Sequence, residues 1–87
     1  MQNMRQNKWR ARIAITHPHS LIIYNAIYLE EPANPERSRV YMQYNEKTSE
    51  LILYFEATDF NALRASLLSY IRWIKLTEEL INIFKLK

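Results

Sequence analysis

The chain contains no glycine and no cysteine in 87 residues. Without glycine there is no glycine-rich phosphate loop and no dinucleotide-binding fingerprint, since both need backbone that a Cβ would obstruct. Without cysteine there is neither a disulfide nor a thiolate metal site. The two histidines, His17 and His19, flank Pro18, and no acidic residue stands at a helical spacing from them. Neither a metal site nor a cofactor is expected. No apolar run approaches the roughly 18 residues of a membrane span. The first residues, Met1 to Asn7, are polar and lack the apolar segment of a signal peptide. A cytoplasmic location, away from membranes, is the expectation.

What is present reads as one small folded domain. The hydrophobic fraction is 48%, which is that of a globular chain. A core of this size leaves only a few kcal/mol of net stability. With disulfide and metal staples excluded, association is the remaining source of stability, so a homodimer or hetero-complex is expected. The formal net charge is +3, a mild bias toward anionic partners.

Hydrophobic periodicity sets the elements. From Lys8 to Thr16 the pattern alternates, with Trp9, Ala11, Ile13 and Ile15 on one face and Lys8, Arg10, Arg12 and Ala14 on the other. That period of two predicts a half-buried strand. Pro18 ends it. Ser20 then reads as the N-cap of a short helix to about Leu29, apolar nearly all round and so expected to be buried on more than one side. A charged loop with Pro32 and Pro35 follows. Two further alternating stretches, Arg39 to Tyr44 and Leu51 to Ala57, predict an antiparallel hairpin. Its turn, Asn45 to Ser49, lacks the glycine of a two-residue type I′ loop, so four or five residues are expected there. Thr58 or Asp59 caps a last helix running to about Phe84. The order is β-α-β-β-α. The predicted fold is α+β, a three-stranded antiparallel sheet with both helices on one face. Residues 1–7 are read as a flexible N-terminal segment and residues 8–87 as the single domain.

The last helix carries two apolar stripes. Phe60, Leu63, Leu67, Tyr70, Ile71, Ile74 and Ile81 form one; Leu68, Trp73, Leu76, Leu80 and Ile83 form the other. At 1.5 Å per residue the helix is on the order of 40 Å long, longer than strands of this size. One stripe covers the sheet. The second is covered either by the first helix or by a partner helix lying in a groove.

The strand end Leu53-Tyr54-Phe55-Glu56-Ala57-Thr58-Asp59 and the helix segments Ala62-Leu63-Arg64-Ala65 and Ser69-Tyr70-Ile71-Arg72-Trp73-Ile74 resemble the Pcc family, small subunits of the KEOPS complex that modifies transfer RNA. Ile23-Tyr24-Asn25-Ala26-Ile27 and Glu30-Glu31-Pro32 add to the likeness, which covers about Arg10 to Glu79. The resemblance implies a non-catalytic subunit. Family members form a homodimer and use their helices to hold N-terminal helices of the threonylcarbamoyl transferase subunit. The complex, with its kinase-like ATPase and a further small subunit, places threonylcarbamoyl on the adenosine next to the anticodon. The family subunit contributes to transfer RNA binding. Two paralogues occur in some archaea, one capping the other, so a heterodimer with a paralogous small subunit is the variant of this reading.

The residues taken as the partner interface are Leu67, Tyr70, Ile71, Trp73, Ile74 and Leu76. Ile74→Asp is expected to abolish docking or dimerisation. Arg64 and Arg72 share a helix face and read either as solvated cations or as interface anchors with buried stems. Lys8, Arg10 and Arg12, joined by Arg37 and Arg39 if the second strand lies alongside the first, read either as a solvated sheet face or as an RNA-phosphate patch near Tyr41 and Tyr54. Trp9 reads as core or dimer-edge packing. His17 and His19 read as loop residues, because neither has a nucleophile or an orienting carboxylate at a motif spacing, and Glu30 and Glu31 read as loop solvation or a helix end rather than an acid/base pair. No enzyme constellation is found. The competing function from another class is a free-standing small RNA-binding module.

Overall fold

The computed structural model describes residues 8–84. The expected flexible segment 1–7 and the end of the chain after Phe84 lie outside the described residues. The elements are β1 (Trp9–Thr16), α1 (Ser20–Ile27), β2 (Ser38–Asn45), β3 (Glu50–Ala57) and α2 (Phe60–Phe84), and the sheet order is β1-β3-β2 with both pairings antiparallel. Both helices cover one face of the sheet, as the hydrophobic pattern predicts.

Composition explains the strand order. β3 carries the most apolar inner face, and its Leu51, Leu53, Phe55 and Ala57 are all buried. The outer strands carry the cations Arg10, Arg12 and Arg39 on their solvent face, which blunts two sheet edges against unwanted pairing. This order corrects one expectation. The second strand does not lie alongside the first, because the α1 crossover carries β2 to the far side of β3.

Tyr70 ties the layers together. It is 1% exposed, stands edge-on to Phe55 and to Trp73 at 5.6 and 4.9 Å between ring centroids, and donates its hydroxyl to Glu30 O at 2.9 Å. Burial pushes its phenol above the usual value, with the carboxylates of Glu30 and Glu31 adding to the rise. The buried serines are all partnered. Ser66 Oγ donates to Ser38 Oγ, which donates to Asn34 O.

Ser20 departs from its expected role. The N-cap position is His19, without a side-chain cap, and Ser20 is the first helical residue. Its hydroxyl instead donates to Ser49 O at 2.7 Å, pinning α1 to the β2–β3 turn. In that turn Asn45 Oδ1 accepts from Lys47 N, and Ser49 adopts a left-handed φ of 57° where glycine would be expected. At the other end of β3, Asp59 caps α2 by accepting from Ala62 N at 2.8 Å.

Candidate functional site

Two surfaces remain after the core is built: the outward side of the helices and the outer face of the sheet.

The helix surface follows from a length mismatch. α2 has 25 residues and is about 37 Å long, whereas strands of eight residues span about 26 Å. Glu78 Oε2 lies 3.5 Å from His17 Nε2, just past the end of β1. The sheet therefore stops beneath Glu78, and the last turns of α2 run beyond it. Of those turns only Ile81 is half-buried against the core. Leu80, Ile83 and Phe84 are exposed, Ile83 to 72%. Leu76 is 51% exposed.

α1 does not cover this surface. Its eight residues make a helix of about 12 Å. It buries only Ser20, Ile23 and Ile27. Leu21, Ile22, Tyr28 and Leu29 stay exposed, which corrects the expectation that the helix is buried on more than one side. Within the protomer its apolar circumference is half used.

The expected interface residues therefore divide. Ile71 and Leu76 are exposed; Leu67, Trp73 and Ile74 are half-buried against the core; Tyr70 lies inside it. Of the second stripe, only Trp73 turns inward, onto Tyr70. Leu68, Leu80, Ile83 and Phe84 join the candidate surface on their exposure. The signal for Leu68, Leu80 and Ile83 is helical spacing, which does not say where the sheet ends; Phe84 stands in neither stripe. At the opposite end Trp9 is neither core nor free: it stands edge-on to Phe60 at 5.3 Å, and both rings are about half exposed.

The sheet surface is built by register. Arg10 and Arg39 both oppose Glu56 from opposite sides, and Arg12 and Tyr41 both oppose Tyr54. Glu56 accepts from Arg10 Nε at 3.0 Å and lies 3.5 Å from Lys8 Nζ. The Arg10 hydrogen bond, with Lys8 assisting, holds the Glu56 carboxyl below the usual carboxylate range against the opposing effect of burial. The adjacent Tyr41 phenol pushes Arg39 further up from its already high value. Arg37 precedes β2 and pairs with Asp59 at 3.0 Å, and it lines one concavity with Lys8, Arg39 and Glu56 at the border of the patch. Arg12 makes no ion pair among the described residues.

The described residues hold no group of three or more metal-ligating acids or histidines, and no helix long and apolar enough to cross a membrane. His17 Nδ1 accepts from His19 N at 3.0 Å, a local turn contact.

The family model described as "Transcription factor Pcc1" matches residues 10–82. The chain belongs to the Pcc1 family. The KEOPS complex subunit Pcc1 of Pyrococcus abyssi (strain GE5 / Orsay) is similar to it, 30% identical over 84 residues that span 92% of this chain and all of the relative. The matched span includes β2 and β3, all of β1 but Trp9, and all of α2 but its last two residues. Both surfaces lie mostly in the matched span, with Lys8 and Trp9 just before it and Ile83 and Phe84 just after it.

Proposed function

We propose that this chain is a non-catalytic KEOPS subunit that dimerises, docks the threonylcarbamoyl transferase subunit through its helices, and aids transfer RNA binding. The observation that carries the proposal is the apolar surface left open on α1 and on the overhanging end of α2. Two such faces side by side form a platform for an amphipathic helix pair, the helix-in-groove mode. Membership of the Pcc1 family and the name of the Pyrococcus relative supply the identity of the complex.

The interface is tested by co-elution of the full chain with the transferase. Leu76→Asp places a carboxylate where a partner helix would desolvate it, so co-elution is expected to be lost while the circular dichroism spectrum stays unchanged. Retained co-elution would contradict docking through this face. Ile74→Asp is the poorer probe, because Ile74 packs against the core and its loss would act on folding as well.

The cationic outer face of the sheet favours a second reading, a free-standing RNA-binding module. Reversal of Lys8, Arg10 and Arg12 to Glu separates the two. A free RNA binder loses most of its affinity, whereas an assembly subunit keeps its protein partner.

A further inference from the structure

Helix docking leaves the outer sheet face unused. Register sets Arg12, Tyr54 and Tyr41 in one row across the three strands, beside a row of Arg10, Glu56 and Arg39. Tyr41 is 52% exposed and Tyr54 is 37% exposed. Tyr54 Oη donates to Gln43 Oε1 at 3.1 Å, which fixes the direction of its ring. A shallow concavity of about 520 Å³ lies over these strands, lined by Arg10, Arg12, Tyr41, Tyr54 and Glu56 among others.

We propose that this face binds single-stranded RNA, with bases stacked on Tyr41 and Tyr54 and phosphates held by Arg12, Arg10 and Arg39. Charge complementarity selects the occupant: Lys8, Arg10 and Arg39 stand against the Glu56 carboxylate, and Arg12, one register step on beside Tyr54, adds a cation with no ion pair among the described residues. Exposed aromatic rings flanked by arginines suit unstacked bases, because every base offers a π-face and the phosphate chain follows the cations. A duplex is the poorer fit. Its base faces are stacked away, and a flat sheet cannot enter the deep, narrow major groove of A-form RNA. The inference rests on the RNA-contact part of the function proposed above and is independent of helix docking.

The probe is a fluorescent oligouridine of roughly 12 nucleotides, within the usual footprint of such surfaces, titrated with the full-length chain at low salt. An RNA duplex of the same length is the comparison. The single strand is expected to bind more tightly. Tyr54→Ala and Tyr41→Ala are each expected to weaken binding by about 5- to 150-fold, the range of one lost base stack. Tyr54→Phe and Tyr41→Phe keep the ring and are expected to restore affinity to within about twofold. Arg12→Ala is expected to reduce the salt slope by about 0.7, the release from one single-strand phosphate contact. Equal affinity for the duplex, unchanged affinity of the alanine variants, or no binding of oligouridine would each overturn the proposal. Transferase co-elution of the same alanine variants is read separately. Retained co-elution with lost RNA affinity supports the stacking face. Lost co-elution would assign the face to a protein contact and overturn it. A wild-type chain that binds oligouridine but ignores the transferase sinks only the docking reading.

Discussion

The two halves of α2 have similar apolar content and opposite fates. From Ala62 to Tyr70 the inward residues meet β3 and the loop after α1, and Ala62, Leu63, Ser66 and Tyr70 are buried. From Leu76 to Phe84 equally apolar residues stand mostly in solvent. Helix propensity and spacing do not distinguish the halves; the length of the sheet does. Apolar side chains thus stabilise the protomer only where the protomer supplies a surface. Where it does not, they mark where another molecule is needed.

The sharpest way to break this comparison is to remove the anchor of the first half. Tyr70→Ala deletes a buried ring and its hydrogen bond, and is expected to cost about 3–5 kcal/mol. For so small a domain that leaves little folded protein at 25 °C, read by urea unfolding. Ser38→Ala is expected to cost about 1–3 kcal/mol, because Ser66 loses its acceptor in a buried site. Leu80→Asp, the same kind of insult in the second half, is expected to change protomer stability by no more than about 0.5 kcal/mol while abolishing transferase binding.

Smaller effects sharpen the electrostatic side. Glu56 has a folded-state pKa below its unfolded value. Its stabilisation is therefore complete above the ordinary carboxylate pKa and is lost as pH falls through the lowered one. Solvent screening at this half-exposed surface pair limits that contribution to under about 1 kcal/mol. Glu56→Gln should flatten the acid limb of a Tm-against-pH curve. Tyr70 acts at the opposite end of the scale. Its raised pKa leaves stability unaffected below the ordinary phenol value and lowers it as pH climbs from there toward the folded value. Ser49→Gly relieves a left-handed backbone and is expected to raise stability by about 0.5 kcal/mol, checked by the urea midpoint.

Much of this was legible in the sequence because local periodicity carries it. The inner faces of all three strands, the hairpin and the Asp59 cap follow from alternation and cap chemistry. What was not legible depends on partners distant in the chain. Ser20 has the look of an N-cap, yet its hydroxyl goes to Ser49, far along the chain, because the turn folds back over the start of α1. The cations of β1 and β2 share a face but are separated by β3, a consequence of topology rather than composition. Arg37 stays at the border of the patch but is paired there, because the β3–α2 corner brings Asp59 to it. Tyr41 and Tyr54 become neighbours only through register. The family resemblance identified the kind of molecule, but which residues of α2 face outward depended on where the sheet ends.

The most direct test of the account is light scattering behind size-exclusion chromatography, on the chain alone and mixed with the transferase subunit, with Leu80→Asp run in parallel. The account predicts a species of twice the 10.5 kDa chain mass that shifts into a stable complex with the transferase, and a Leu80→Asp protein that stays folded but does not bind the transferase. A wild-type chain that ignores the transferase, or a Leu80→Asp variant that binds the transferase as the wild type does, would contradict the claim that the overhanging half of α2 is a partner surface.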